Sequence, residues 1–266
     1  MSEKLICYTL DLEPDFGGRL KSYSSLDHMP DFYNLIKKNG IKLTTFAAGH
    51  MLKGNPSVIR GLVDIGSEIE VHSYTHNLNG QNEGLEIRKS KAAYKEYFGR
   101  NPLGYRSPKG IITKSGLRAL SKEGFKYDSS LYPAFFPGRY SNLAIPAEPF
   151  YYDEFGLVEL PFSVIPKIRL PLSMSYVQPI GYGAVKGLIS IFGLPRIIVF
   201  NFHLWNLYKP IGTKTLPFKW RALLARNLDK GLDIFGSLAK MFKSNGYRPI
   251  TMQSLYQMMK AKMDEN

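Results

Sequence analysis

Two carboxylates stand two residues apart in Asp11-Leu12-Glu13, directly after the apolar run of residues 5–10. Side chains alternate along a strand, so both acids project to one side if that run is extended. Farther on, the run Glu68–Val71 leads straight into His72-Ser73-Tyr74-Thr75-His76. Histidines four apart share a face where the backbone turns helical, close enough to grip one metal ion. Two imidazoles and one carboxylate make a three-ligand catalytic zinc set with a position left for water. The chain has only five histidines, and two of them fall here. Three more stretches carry reactive groups: Tyr105-Arg106-Ser107-Pro108, Tyr127-Asp128-Ser129-Ser130 and Asn201-Phe202-His203-Leu204-Trp205. Arg106 is a permanent cation able to hold a nearby carboxylate ionised and oriented. His203 closes an apolar run, which sets its imidazole at the rim of whatever that run builds.

Such groups meet only if several strands end at one place, and the chain has the pattern for it. Short β-branched runs alternate with segments of helical period, the signature of α/β architecture. Residues 5–10, 43–47, 68–71, 103–105, 158–160, 197–202 and 248–250 read as strands. Residues 29–38, 56–65, 83–98, 114–123 and 228–245, and a last segment from about residue 253, read as helices, with Gly40, Gly66, Gly124 and Gly246 as stops. A single parallel barrel over residues 1–266 fits this alternation better than an open sheet. Its functional face is then where strands end, and the polar residues above lie at those ends. Residues 132–182 break the rhythm with many prolines and read as an elaborated loop region over one face.

Composition narrows the class. Hydrophobic residues make up 44% of the 266 and aromatic residues 13%, enough for one large core. Charged residues are 21% and no low-complexity stretch occurs, which excludes disorder as the main state. The single cysteine, Cys7, excludes a disulfide scaffold and a cysteine-built zinc site. The first residues carry charge where a secretory segment needs apolar side chains, so a cytosolic location is expected. The longest apolar stretch, residues 188–202, is broken by Gly193, Pro195 and Arg196 and falls short of the about 20 residues that span a membrane. The net charge is +13, and residues 160–228 hold nine Lys and Arg with no Asp or Glu. That block predicts a positive surface facing phosphate, a lipid headgroup or nucleic acid. No recognised binding motif or basic-aromatic repeat accompanies the charge, so nucleic acid is not an expected partner. Within the block, Val185, Leu188, Ile189 and Phe192 follow helical spacing beside Lys186, which reads either as a core-facing stripe or as a lip touching an anionic membrane.

Six pieces taken together carry a family likeness: T-L-D-L-E at residues 9–13, T-T-F-A-A-G at 44–49, H-S-Y-T-H at 72–76, Y-R-S-P-K-G at 105–110, Y-D-S-S-L-Y-P at 127–133 and F-H-L-W at 202–205. In these the chain resembles the polysaccharide deacetylase family, also called the NodB-homology or carbohydrate esterase 4 group. Its members are metal-dependent amide hydrolases that remove N-acetyl, and sometimes N-formyl, groups from sugars. The resemblance implies a deformed parallel (β/α) barrel of about seven strands. It also implies Asp11 as general base, Arg106 as the residue pairing with it and His203 as general acid. Glu13, His72 and His76 take the places of the metal ligands, with Zn2+ the expected ion. Pro108, Lys109, Asp128 and Trp205 fall on the substrate side, Asp128 as a support and the backbone N–H of Lys109 as an oxyanion donor.

Two departures stand out. The usual first motif has adjacent aspartates, whereas here the acids are Asp11 and Glu13, with Asp15 beyond Pro14 as a second contender for the metal. Lys109 stands where a tyrosine commonly follows the proline. The Asp-Phe-Gly-Gly that follows the carboxylate pair resembles deformylases of lipid-linked amino sugars. The expected substrate is therefore an N-acylated sugar on a nucleotide or lipid carrier, met in the cytosol or at the membrane surface, rather than an extracellular polymer. Rival readings are an allantoinase-like amidohydrolase acting on a small amide or ureido metabolite and a catalytically silent glycan-binding module. Nothing in the sequence sets the oligomeric state.

Overall fold

Strand β1 (Leu5–Leu12) is buried along its whole length, and the rest of the molecule is arranged around it. Its odd-numbered residues face inward: Leu5 and Cys7 pack with Phe46, Tyr127, Val158, Leu160 and Val199. Its even-numbered residues Ile6, Tyr8, Leu10 and Leu12 face the surrounding helices. A strand covered on both sides needs apolar residues at nearly every position, which is why β1 reads as a continuous run rather than an alternation. The computed structural model describes residues 3–76 and 82–264. The first two residues of the charged N-terminal stretch lie outside that range.

Beside β1 run the strand Ile197–His203 on one side and β2 (Leu43–Ala47) on the other, both parallel to it. The sheet continues through β3 (Glu68–Val71), β4 (Gly104–Tyr105), β5 (Tyr127–Asp128) and the strand Leu157–Glu159, all parallel, to an antiparallel edge, Phe150–Tyr152. Arg248–Pro249 adds a short ninth strand against the start of β1. Seven consecutive parallel strands thus form a curled wall, in accord with the expected deformed barrel of about seven. The seam between Leu157–Glu159 and Ile197–His203 has no strand ladder. Ser163 stitches it instead: its N–H donates to Val199 O (3.2 Å), its hydroxyl donates to Ile197 O (3.2 Å), and Val199 N–H donates to that hydroxyl (2.8 Å).

Helices Met29–Lys38, Pro56–Asp64, Glu83–Phe98, Lys114–Lys122 and Gly231–Ser244 cover the outside. The helix Met252–Asp264 closes the bottom. Met252 and Leu255 enter the interior cluster, Met252 N–H donates to Thr44 Oγ1 (3.0 Å), and the Tyr256 ring stacks on Tyr127. One end of the barrel is therefore plugged, and the strand tips at the other end are left to build a site.

Several local expectations change. Residues 132–182 do form an elaborated cover, but it holds two small hairpins, the antiparallel edge strand and a helix, Met174–Ile180, which Pro179 hides from a sequence reading. The segment 228–245 begins with a 3-10 turn, Leu228–Lys230, before its helix starts at Gly231. In the helix Tyr182–Phe192, Val185 and Ile189 are buried and Leu188 and Phe192 pack against the core. Its apolar stripe is thus core-facing, the first of the two readings that the spacing allows. Among the described residues, no helix is long and apolar enough to cross a membrane.

Asp128 on β5 and Glu159 on its neighbour lie side by side in the pairing register and are fully buried. Ser130 donates to Asp128 Oδ1 (2.6 Å) and Leu131 N–H to Glu159 Oε1 (3.1 Å), while Asp128 Oδ2 and Glu159 Oε2 have no other partner. One proton held between those two oxygens satisfies both. Burial pushes the Asp128 carboxyl up to about 6, and burial together with the Asp128 charge pushes Glu159 well above the usual range. Acids whose folded values are raised contribute stability that is complete below their unfolded values and is lost as pH rises through the folded ones. The melting temperature is expected to fall as pH rises from about 4 through about 6 and beyond, and Glu159→Gln, which donates an amide hydrogen in place of the shared proton, should flatten that slope in calorimetric scans.

Candidate active site at the strand tips

Period-two geometry delivers the first two acids. Thr9, Asp11 and Glu13 follow the inward-facing residues of β1, and Asp11 pairs in register with His203 across the ladder. Asp11 Oδ1 accepts a hydrogen bond from Arg106 Nη1 at 2.7 Å. Arg106, just beyond β4, has no exposed surface. Its guanidinium also donates to Thr9 Oγ1 (2.8 Å), Ser129 O (2.9 Å) and Ser129 Oγ (2.9 Å), and lies between the rings of Phe46 and Phe162, 4.0 and 4.3 Å from their centroids. Four of the five N–H donors of the fork are engaged and both of its faces are covered, so Asp11 meets a fixed cation.

Glu13 meets three imidazoles. Its Oε2 is 2.5 Å from His76 Nε2 and 3.3 Å from His72 Nε2, and its Oε1 is 3.4 Å from His203 Nε2. Trp205 Nε1 donates to Oε1 at 3.3 Å. Burial alone would raise this carboxyl, but His76, His203 and the hydrogen bond from His72 outweigh it and hold it well below the usual range. Burial pulls His72 down, yet Asp11 and Glu13 leave it above its ordinary value. Asp15 is turned away. The hydroxyls of Ser22, Ser24 and Ser25 all donate to its carboxylate (2.9, 3.1 and 2.5 Å), so it ties down its own loop, whereas Glu13 faces the imidazoles.

The histidine pair converges by a route the spacing does not predict. Residues 72–76 are not helical; Ser73 and His76 take left-handed backbone angles, φ 52° and 56°. Glu86, buried on the helix Glu83–Phe98, accepts from the N–H groups of Tyr74 (3.0 Å) and Thr75 (2.7 Å) and clamps this turn. Gly17, at φ 67°, lets the chain pass over the site close to His76 and Glu13.

The donor set fits a divalent cation. One ligand atom from each of Glu13, His72 and His76 lies within 4.8 Å of the others. Both ring nitrogens of His76 are buried without a hydrogen-bond partner, because the close approach of Nε2 to Glu13 lacks hydrogen-bond direction. His72 Nδ1 faces the backbone oxygen of Arg106 at 2.9 Å, which turns Nε2 toward the common point.

These groups open into a cleft of about 740 Å3, also lined by Lys109, Asn201 and Trp205. Pro108 and Asp128 are buried and do not line it; Asp128 stands behind the wall and accepts from Ser130, whose hydroxyl accepts from Ser107 N–H at 2.8 Å. Trp205 is largely covered, stacked on His203 (ring centroids 4.5 Å apart) and packed on Phe16. Sequence reasoning passed over Asn206, Gln178, Glu86 and the side-chain amide of Asn201, whose Nδ2 lacks a partner at the cleft wall. A polar residue within an apolar strand was the available signal for Asn201; the others carried none.

The polysaccharide deacetylase family model matches residues 1–127. A peptidoglycan deacetylase of Helicobacter pylori is 29% identical over 147 residues, which cover 48% of this chain and 50% of that protein. The match therefore spans about half the length of that curated relative. Among solved structures, a Mycobacterium smegmatis protein described as a candidate polysaccharide deacetylase superposes with a TM-score of 0.62 at 18% identity, over 98% of this chain and 92% of that one. A CE4-family pseudoenzyme from Bacillus anthracis superposes at 0.55 with 12% identity, over 96% of this chain and 66% of that one. A fold carried by a pseudoenzyme assigns no chemistry, so the side chains must.

Removing one partner of a buried ion pair leaves the other charge stranded. Arg106→Gln is expected to cost about 3–5 kcal/mol of unfolding free energy, read from urea titration. An unchanged urea midpoint would contradict the locked geometry described for the Asp11–Arg106 pair.

Proposed function

We propose that this chain, which belongs to the polysaccharide deacetylase family, is a metal-dependent hydrolase that removes an N-acetyl or N-formyl group from an amino sugar. The observation that carries the reading is the meeting, in one cleft, of a Glu-His-His ligand set, a carboxylate locked to a buried arginine and a histidine held by one ring nitrogen. Glu13, His72 and His76 would hold the cation, and zinc is proposed because mixed nitrogen and oxygen ligation suits it. When bound, such an ion supplies Lewis-acid polarisation of the acyl carbonyl and makes water a stronger acid.

The protein's own groups account for the proton traffic. Arg106 occupies Asp11 Oδ1, and Asp11 Oδ2 is turned toward the site, 4.0 Å from His72 Nε2 and 3.8 Å from His203 Nε2. That oxygen is the base that takes a proton from the attacking water. On His203, Nδ1 faces Asn206 Oδ1 at 3.0 Å. Asn206 Nδ2 donates to Gln178 Oε1 (3.0 Å), which fixes the amide with its oxygen toward the imidazole. Nδ1 therefore carries a hydrogen throughout, and Nε2 is the atom that gains and gives the catalytic proton, delivered to the departing sugar nitrogen. The backbone N–H of Lys109, in a turn at φ 61° on the cleft wall, is proposed as a donor to the developing oxyanion.

His203→Ala is expected to lower the rate of acyl release from N-acetylated sugars about 10²–10⁴-fold with metal content unchanged by elemental analysis. His76→Ala should lose metal and activity together. Hydrolysis of small ureido or amide metabolites with none of N-acetyl sugars would favour the allantoinase-like reading, and saccharide binding without acyl release would favour a silent glycan-binding module.

A further inference from the structure

The mouth of the cleft carries cations for which the reaction above has no use. Arg19, Lys109, Arg139 and Lys219 all line it, and the carboxylates lining it are Asp11 and Glu13, both engaged in the depth of the site. Among the described residues, none of these four cations forms an ion pair with an acid. Two of them are held in place. Arg19 Nη1 donates to Phe16 O (2.8 Å) with its guanidinium 4.0 Å from the centroid of a Trp220 ring, and Arg139 Nη2 donates to Lys109 O (2.5 Å). Burial and the Arg139 charge push Arg19 down; burial and the charges of Arg19 and Arg139 push Lys109 down. Like charges thus repel across the opening, an arrangement whose relief is an anion seated between them.

Resting on the deacetylase reading, we infer that the cleft mouth formed by Arg19, Lys109 and Arg139 is a subsite for a phosphate or diphosphate carried by the N-acyl amino sugar. Several cations converge, and a sugar carboxylate would neutralise only one of them. A phosphate offers more charge and more acceptor oxygens, and guanidinium forks match its geometry. The same chemistry arises from a nucleotide-linked sugar or a lipid-linked one. The outer lips include Ile111, Ile180 and Leu223, each about 40% exposed, an apolar border that a prenyl chain would cover and a nucleoside would leave in water.

The test uses the purified full chain with N-acetylglucosamine 1-phosphate against N-acetylglucosamine, binding read by calorimetry at two salt concentrations and turnover by acetate release. At least tenfold tighter binding of the phosphorylated sugar is expected, weakening as salt rises. Arg139→Gln, at an exposed position, and Lys109→Gln should each erode that preference several-fold, and Arg139→Lys should restore part of it. A phosphate that merely touched the metal would ignore both Gln changes, so a preference indifferent to them overturns the inference, as does equal binding of the two sugars. Higher kcat/KM for UDP-N-acetylglucosamine than for the 1-phosphate names the nucleotide source, and higher kcat/KM for a short-chain prenyl-diphosphate sugar names the lipid source. Equal rates leave phosphate itself as the recognised group and support the subsite. Deacetylation of neutral N-acetylglucosamine oligomers with no phosphate preference defeats this inference alone. Arginine-dependent binding of the 1-phosphate without acyl release from any sugar defeats the deacetylase reading alone.

Discussion

A guanidinium with no contact with water sits under the site, and the geometry above it depends on that group. Taking a charge out of water costs several kcal/mol unless partners offset it, and Arg106 engages four of its five donors with an aspartate, a threonine hydroxyl and two oxygens of Ser129, between two aromatic faces. Its backbone oxygen does a second job, orienting His72 through Nδ1. One residue therefore fixes both Asp11 and His72, from strands that are far apart in the chain. A lysine could supply charge but not the planar fork that reaches β1 and the end of β5 at once.

Around this fixed point the polar groups are arranged in tiers. Ser129 and Thr9 hold Arg106; Asn206 and Gln178 hold His203; Glu86 holds the turn that carries His72 and His76; three serines hold Asp15 and with it the loop after Glu13. The left-handed angles at Ser73 and His76 are unfavourable for residues with side chains, and they persist because the neighbouring hydrogen bonds over-determine them. Each polar group at the cleft is thus held by partners set behind it.

What was legible in the sequence followed periodicity and type. The period of two in β1 put Asp11 and Glu13 on one side, and the order of apolar runs gave the parallel sheet with polar residues at its tips. The spacing of His72 and His76 suggested a helix, but a left-handed turn achieves the same convergence, because spacing constrains distance and not backbone path. Asp128 read as a support on the substrate side, but its neighbour in the register, Glu159, was not foreseen, because a pairing between residues 31 apart has no local signature. Glu86 reads as an ordinary first-turn acid on a charged helix. The amphipathic spacing of Val185 to Phe192 was compatible with two faces, and only the packing of the core selects one.

The barrel wall is uneven in strength. Between β1 and the strand Ile197–His203 a full ladder of seven paired residues resists separation. Across the seam bridged by Ser163, three hydrogen bonds centred on one residue do the same work. Opening free energy scales with what must be broken, so thermal breathing will concentrate along that line while β1, with both of its flanks paired, stays rigid. The register that sets Asp11 opposite His203 is thereby carried by the stronger side of the wall, and whatever pliancy the seam has reaches Arg106 through the ring of Phe162 alone among its two aromatic covers.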